Sequence, residues 1–365
     1  MTRFALLGGF LGAGKTTLIG QIARRYHAAG KTVGIVTNDQ AADLVDTQNL
    51  RAQGFSVGEV AGACFCCSFD DLVSTADRLA ESAPDLLLAE PVGSCTDLVA
   101  TVILPLQQLL GEKFELAPFG VLLKPSHGER ILGESSARSG FSPQAEYIFR
   151  KQLEEADYLM IGRADALDET RIEQLRGRLA TIAPDVPVVA VSPKTGEGVD
   201  SVIGYIESPM EAGRRLLQID YDTYAEGEAE LGWVNLSATL QATDGIDLDA
   251  AARGLVGEIG GKVIDHGDGA IAHLKASVSG DGVQAVANMV DNSGQVDVGL
   301  AADRRASGVL EVVVNARVSI DPSVLETFCE TAVRALAERN QLSVVSLSAR
   351  SLRPGRPTPT HRVTA

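Results

Sequence analysis

Residues 9–16 read Gly9-Phe10-Leu11-Gly12-Ala13-Gly14-Lys15-Thr16, a complete G-x-x-x-x-G-K-[ST] phosphate loop. Its surroundings are those the loop requires. Arg3 to Leu7 reads as a short buried strand, the glycines make the turn, and Thr17 to Ala29 has helical spacing with Leu18, Ile22 and Ala23 inward. Glycines let backbone N–H groups curl around phosphate oxygens. Lys15 supplies a cation to the β- and γ-phosphates, the Thr16 hydroxyl reaches Mg²⁺, and the positive end of the following helix adds a favourable field. Gly9, Gly12, Ala13, Gly14, Lys15, Thr16 and Thr17 are therefore the expected nucleotide-binding positions, with Lys15 also catalytic and Thr16 a Mg²⁺ ligand.

Outward from the loop, residues 1 to about 206 alternate short apolar runs with helical segments. That alternation predicts an α/β fold, a mostly parallel sheet with helices on both faces. Strands are expected at Phe4 to Leu7, Val33 to Val36, Leu86 to Ala89, Gly120 to Leu123, Tyr158 to Ile161 and Val186 to Val191. Ligands of such sheets gather at the carboxyl ends of the strands. After the second strand come Asn38-Asp39-Gln40, Asp43 and Asp46; Asp39 is read as the carboxylate that orients the attacking water or meets Mg²⁺, and the other two as ordinary loop or capping residues. Glu90 ends the Leu-Leu-Leu-Ala run where a Walker-B acid sits, and Gly93 leaves its amide free for a γ-phosphate. Together they predict a switch shaped by the third phosphate.

Cys64-Phe65-Cys66-Cys67 places three of the five cysteines within four residues. In a chain with reduced thiols such a cluster reads as a soft-metal or redox site, and three thiolates suit Zn²⁺ or Cu(I) with one position left over. Glu59 and Cys95 are candidates for that position, and a packed small-hydrophobe cluster is the plainer alternative. Cys329, on an apolar helical face, is assigned to packing.

GGFLGAGKTT, the C-x-C-C triplet about fifty residues on, and Glu-x-x-Gly in place of Asp-x-x-Gly together resemble the CobW-type GTPases, relatives of the nickel-insertion GTPases UreG and HypB. Tyr147 to Asp157 is similar to the run before that family's guanine-reading motif, and Ser192-Pro193-Lys194-Thr195-Gly196-Glu197-Gly198 resembles its last nucleotide loop. The resemblance implies GTP, with Mg²⁺, hydrolysed in step with delivery of zinc, cobalt or nickel to a client metalloprotein or cofactor-dependent enzyme. It implies base contacts from Arg163, Asp165, Ser192 and Lys194. Where the family has Asn-Lys-x-Asp, however, this chain has Gly162-Arg163-Ala164-Asp165. Asp165 keeps the acceptor for the guanine N1 and N2 hydrogens and Arg163 keeps a stacking plane, but the amide for the other edge is gone. One lost hydrogen-bond pair lowers base discrimination by about 1 to 3 kcal/mol. Lys124-Pro125 also stands where the family commonly has an aspartate.

Of 365 residues, 45% are hydrophobic and 22% charged, a soluble globular composition too long for one core, and two domains are expected. With 48 acidic against 32 basic residues the net charge is -16, which argues against nucleic-acid and anionic-membrane partners. No export signal is read ahead of the first strand, so a cytoplasmic protein is expected. The expected division is a P-loop GTPase domain over 1–206, a connector over 207–232, a smaller α+β domain over 233–352 and a disordered tail over 353–365. The second domain reads strand, helix, two strands, helix, strand, the split βαβ plan, with Asp321-Pro322 as N-cap and first position of its last helix. Trp233, Tyr221 and Tyr224 are expected to pack at the domain junction, and His266 and His273 as loop residues. The function class is a GTP-hydrolysing metallochaperone or cofactor-insertion protein, open to homodimer formation. Its rivals are a nucleotide-dependent activator docking on a corrinoid (cobalamin-type) or other metalloenzyme without carrying metal, and a small-molecule kinase.

Overall fold

The computed structural model describes residues 1–39, 45–133, 141–267 and 269–364, and of Asp39 the backbone alone. The chain divides into two units, the first comprising Met1–Gln40, Phe55–Gly227 and Arg356–Ala365, the second Ala41–Gly54 and Glu228–Gly355.

In the first unit β1 (Thr2–Gly8) runs through the phosphate loop into α1 (Lys15–Ala28), followed by β2 (Val33–Asp39). Helix α2 (Val45–Ala52) comes next in the chain but folds with the second unit. Then follow β3 (Ser56–Ala61), α3 (Phe69–Ala80), β4 (Leu86–Glu90), a π-helical turn (Val99–Ile103) leading into α4 (Leu104–Leu110), β5 (Phe114–Leu116) and β6 (Gly120–Leu123). The rest is α5 (Pro125–Ile131), α6 (Pro143–Glu154), β7 (Tyr158–Ile161), α7 (Glu169–Ile182), β8 (Val188–Ala190), α8 (Val199–Ile206) and α9 (Tyr221–Ala229). The strands pair in parallel in the order β3-β2-β4-β1-β6-β7-β8, with β5 also on β1. All six strands expected from apolar runs are present, and β1, β4, β6 and β7 are buried nearly throughout, as strands covered on both faces must be. Strands β3 and β5 were not anticipated. β3 reads Ser-Val-Gly-Glu-Val-Ala and β5 is three residues long, so neither presents a continuous apolar run.

Residues expected as connector and tail pack on this unit. Tyr224, 1% exposed, accepts from the Thr96 amide at its hydroxyl, and Tyr221 donates to Asp97 at 2.8 Å. Both therefore brace the loop after β4. The expected disorder of 353–365 is not what is observed: Thr360 N donates to Cys66 O at 2.8 Å and Val363 N to Ala100 O at 2.9 Å. Three prolines stiffen the segment, and its basic Arg362 meets a buried carboxylate.

The second unit contains β9 (Gly232–Asp247), α10 (Leu248–His266), β10 (Ile271–Gly280), β11 (Val283–Met289), β12 (Asp297–Leu300), β13 (Arg305–Val318), α11 (Pro322–Arg339) and β14 (Ser343–Leu352). Its sheet is antiparallel in the order β12-β11-β10-β13-β9-β14. Leaving out β11 and β12, the order is fourth, first, third, second, which is the split βαβ plan; the extra pair extends the β10 edge. Asp321 caps α11 by accepting from Ser323 N, with Pro322 at the first helical position. Alternate residues of each strand face opposite ways. Leu310, Val312 and Val314 of β13 join the core built with α10 and α11, while Val313 and Val286 face the other way and enclose Val45 of α2. Trp233 lies in this unit with the Arg317 guanidinium 4.1 Å from its ring centre.

Candidate nucleotide site and thiol cluster

The phosphate loop is held from several sides. Gly9, Gly12 and Gly14 have φ of 138, 70 and 102°, a region that side chains with a Cβ rarely enter. A Cβ at Gly9 would also stand 2.4 Å from the Leu122 carbonyl oxygen of β6. Phe10 meets His127, Phe141 and Phe149 edge-on at ring-centre distances of 5.7 to 5.8 Å, an arrangement that aromatic quadrupoles favour. Lys15 is 7% exposed and donates to Gly9 O at 2.8 Å, folding its ammonium across the loop where phosphate oxygens belong. Thr16 donates to Glu90 Oε1 at 3.0 Å, so the carboxylate ending β4 does reach the loop hydroxyl. Thr17 is exposed at the start of α1 and Ala13 is buried beneath the loop. Gly93 is close-packed: a Cβ there would stand 3.0 Å from Leu11 N and Cα.

On the base side, Ser192 donates to Asp165 at 2.6 Å and Thr195 N donates to Ser192 Oγ, joining the loops after β7 and β8. Arg163 is half-buried with φ of 53°, while Asp165 and Lys194 are exposed. Residues of α1 support the same loop, with Gln21 donating to Pro193 O and Arg25 to Gly196 O. Lys124 is 2% exposed at the N-cap of α5. The Asp39 side chain and Asp43 lie outside the described residues.

Cys64, Cys66 and Cys67 converge. Their sulfurs are separated by 2.9 Å (64 to 66), 3.3 Å (64 to 67) and 3.7 Å (66 to 67). Among the described residues this is the one group of three or more His, Cys, Asp or Glu side chains close enough to share an ion. Glu59, His266 and His273 are not brought into it. The turn that gathers the thiols uses Cys67 N and Ser68 N, both donating to Cys64 O at 2.9 Å. Hydrogen bonding with Cys66 first, then with Cys67 and Cys95, holds the Cys64 thiol well below the usual thiol range, while hydrogen bonding with Cys64 raises Cys66 and lifts Cys67 to about 11. One sulfur thus ionises ahead of its neighbours, and thiolate is the form that binds metal. Three soft donors on one turn suit a tetrahedral N/S-type ion such as Zn²⁺.

Two connections tie the thiols to the nucleotide side. Asn38, the penultimate residue of β2, donates to Val60 O at 3.0 Å and Ala63 O at 2.8 Å and accepts from Phe65 N at 2.8 Å, clamping the cysteine turn. Its neighbour Thr37 is in register with Glu90 on β4. The second connection is the Glu90-to-Asp97 loop. Gln152 of α6 donates to Gly93 O at 2.9 Å and Cys95 O at 2.8 Å, and the buried Cys95 thiol hydrogen-bonds Cys64. Glu155 accepts from Thr96 Oγ1 and Val99 N, and burial lifts its carboxyl to about 8. Asn38, Gln152 and Glu155 were missed in the sequence. The signal for the last two was available, since they share the helical face of Ile148 and Phe149, where polar residues are out of place.

A parallel sheet with a phosphate loop between its first strand and first helix, and an acid at the end of β4 touching that loop, defines a P-loop nucleoside-triphosphate-binding protein. The sequence profile described as "CobW/HypB/UreG, nucleotide-binding domain" matches residues 3–190, and the chain belongs to that family. It is similar to the zinc chaperone CobW of Sinorhizobium sp, 25% identical over 54% of this chain and 60% of that one. It is 26% identical to the zinc chaperone YjiA of Escherichia coli K12 over 51% of this chain and 56% of that one. The chain thus spans little more than half the length of these two relatives. HypB from Helicobacter pylori, solved in complex with nickel, has 19% identity and a TM-score of 0.42 over 56% of this chain and 85% of that one. Among the described residues no helix is long and apolar enough to cross a membrane.

Proposed function

We propose that the protein is a GTP-hydrolysing metallochaperone or metallocofactor-insertion protein that couples Mg-GTP binding and hydrolysis to a transition metal held at Cys64, Cys66 and Cys67. The observation carrying the reading is Asn38, which belongs to the strand leading to the nucleotide's γ-phosphate side and makes two hydrogen bonds to the turn that presents the thiols and one to β3 just before it. Residues of the site fit Mg²⁺: Thr16 Oγ1 and Glu90 Oε1 are a hydroxyl and a carboxylate oxygen 3.0 Å apart beside the loop, and an ion held there would neutralise charge developing on the phosphates. Lys15 turns from Gly9 O to the phosphates, Gly93 N meets the γ-phosphate, and Asp39 orients water. Arg163, Asp165, Ser192 and Lys194 receive the guanine. Ordering of the Asp39 and Glu90 loops by the triphosphate then reaches the sulfurs through Asn38 and through Cys95, and hydrolysis loosens them. Cys95, whose thiol hydrogen-bonds Cys64, is a candidate fourth donor. The cargo is zinc, cobalt or nickel, and the recipient a client metalloprotein or cofactor-dependent enzyme.

Isothermal titration of the protein with Zn²⁺, Co²⁺ and Ni²⁺, each with GDP and with a nonhydrolysable GTP analogue, tests the coupling. A metal affinity differing about tenfold or more between the two nucleotides supports it, since only a differential affinity can shift the equilibrium. Identical affinities sink it. Stoichiometric nucleotide binding with no metal retained would leave the activator reading, in which all three cysteines can be replaced without loss.

A further inference from the structure

The segment Arg356–Val363 lies across the thiol turn, and its sequence is suited to that course. In Pro357-Thr358-Pro359-Thr360 the prolines set an extended backbone and carry no N–H, so these four residues have backbone donors only at Thr358 and Thr360. Both are used on the cysteine turn. Thr358 N donates to Cys67 Sγ at 3.3 Å and Thr360 N to Cys66 O at 2.8 Å, with Thr360 Oγ1 also donating to Cys67 O at 3.2 Å. The His361 ring stands edge-on to Phe69, centres 4.8 Å apart, immediately beyond the turn. The segment is then anchored: Arg362 Nε donates to Asp97 Oδ2 at 2.7 Å and Val363 N to Ala100 O at 2.9 Å. Asp97 is 1% exposed and has φ of 62°, a strained conformation kept where it presents its carboxylate to Arg362 and Tyr221. Beneath the segment Cys64 and Cys66 are 3% and 1% exposed, and only Cys67 is half-buried.

We infer that Arg356–Val363 is a strap that closes the thiol site, so that an ion or a thiol reagent reaches Cys64 and Cys66 only when the strap lifts and reaches the half-buried Cys67 more slowly while it is closed. The attachment consists of hydrogen bonds, ion pairs of Arg356 with Asp222 and of Arg362 with Asp97, and ring contacts of His361 with Phe69 and Arg362 with Tyr221, with nothing covalent, so lifting is a local opening and not unfolding. The purpose of the closure, retention of cargo until release, rests on the metallochaperone reading. The closure itself does not.

The test is alkylation of the reduced, metal-free protein by a maleimide under native conditions, with labelled cysteines located by peptide mass. Three variants are compared with the unaltered chain: one ending at Gly355, Arg362→Glu, which sets like charges at the anchor, and Thr358→Pro, which removes the donor to Cys67 while keeping the backbone extended. Labelling of Cys67 is expected to accelerate about tenfold or more in the shortened and Arg362→Glu chains, as a local opening equilibrium shifts. Loss of Zn²⁺ to a chelator should accelerate in parallel. Equal labelling rates in all chains would overturn the strap. Should the shortened chain lose nucleotide binding through misfolding, the two point variants decide. Faster labelling with no metal bound by any chain would keep the strap and overturn the metallochaperone reading instead.

Discussion

At the scale of single residues, one amide side chain joins the strand β2 to the turn that carries the thiols, and the proposed coupling runs in part through it. Asn38 satisfies one carbonyl of β3 and one carbonyl and one N–H of the cysteine turn, and an apolar replacement would leave all three without that partner. Asn38→Ala should lower stability by about 1 to 3 kcal/mol, the cost of buried groups left unpaired. It should also remove the difference in zinc affinity between GDP and the GTP analogue, both read by denaturation and titration. If the difference persists, the coupling runs through Cys95 alone. Asn38 was invisible in the sequence because its value lies in a turn twenty-odd residues downstream. Lys15 and Thr16 are picked out by the fixed spacing of the phosphate loop, and Glu90 by ending an apolar strand run. Asp165 accepts from Ser192, which joins the two loops for which the resemblance implies base contacts, and Gly162 stands where an amide would read guanine.

At the scale of elements, α6 shows how a helix can position a loop. Ala145, Ile148, Phe149 and Leu153 bury its apolar side, and Gln152 and Glu155 at its end supply polar contacts to the backbone of Gly93 through Val99. Burial first, then the nearby Asp97 charge, keeps the Glu155 carboxyl protonated up to about 8 against an ordinary 4.5, offset by its backbone hydrogen bond. The folded state therefore binds more protons than the unfolded chain across that window, and stability falls as pH rises through it. Glu155→Gln, which stays neutral, should flatten the slope, a difference on the order of a few kcal/mol by pH 8. Thermal unfolding at pH 5, 6.5 and 8 measures it; parallel curves for the two proteins would refute it. Strands with continuous apolar runs were readable, whereas β3, β11 and β12 escaped. Their sequences mix Gly, Gln, Asn and Asp with aliphatics, and pairing to neighbours decides them more than pattern does.

At the scale of the whole molecule, both architectures were legible, but a division by position along the chain was not. Helix α2 follows the nucleotide-side strand β2 yet completes the second unit. Val45 N donates to Asn315 Oδ1 at 2.8 Å, Gln48 accepts from Ser277 and Gln284, and Asp46 pairs with Lys275. The motifs along β2 suggest no role for Asp46 beyond a loop or capping residue, because its partner lies 229 positions away. The pair is largely shielded, with side-chain exposures of 17% and 11%, so removing one charge leaves the other poorly solvated. Lys275→Met should destabilise the second unit by on the order of 1 to 3 kcal/mol, and adding Asp46→Asn should recover part of that loss in a double-mutant cycle. Strict additivity of the two changes in chemical denaturation would show the pair to be energetically idle.

Because α2 belongs with residues 228–355 while Arg356–Ala365 belongs with the P-loop sheet, the polypeptide is interleaved and not strung as beads. Neither half can be lifted out as a contiguous cassette. A cut in 207–232 would yield one fragment carrying an orphaned helix with Val45 uncovered, and another bearing ten foreign residues at its end. Gene fusion or recombination at that point should therefore give insoluble products, and inheritance of the two halves as a single block is the outcome the connectivity favours.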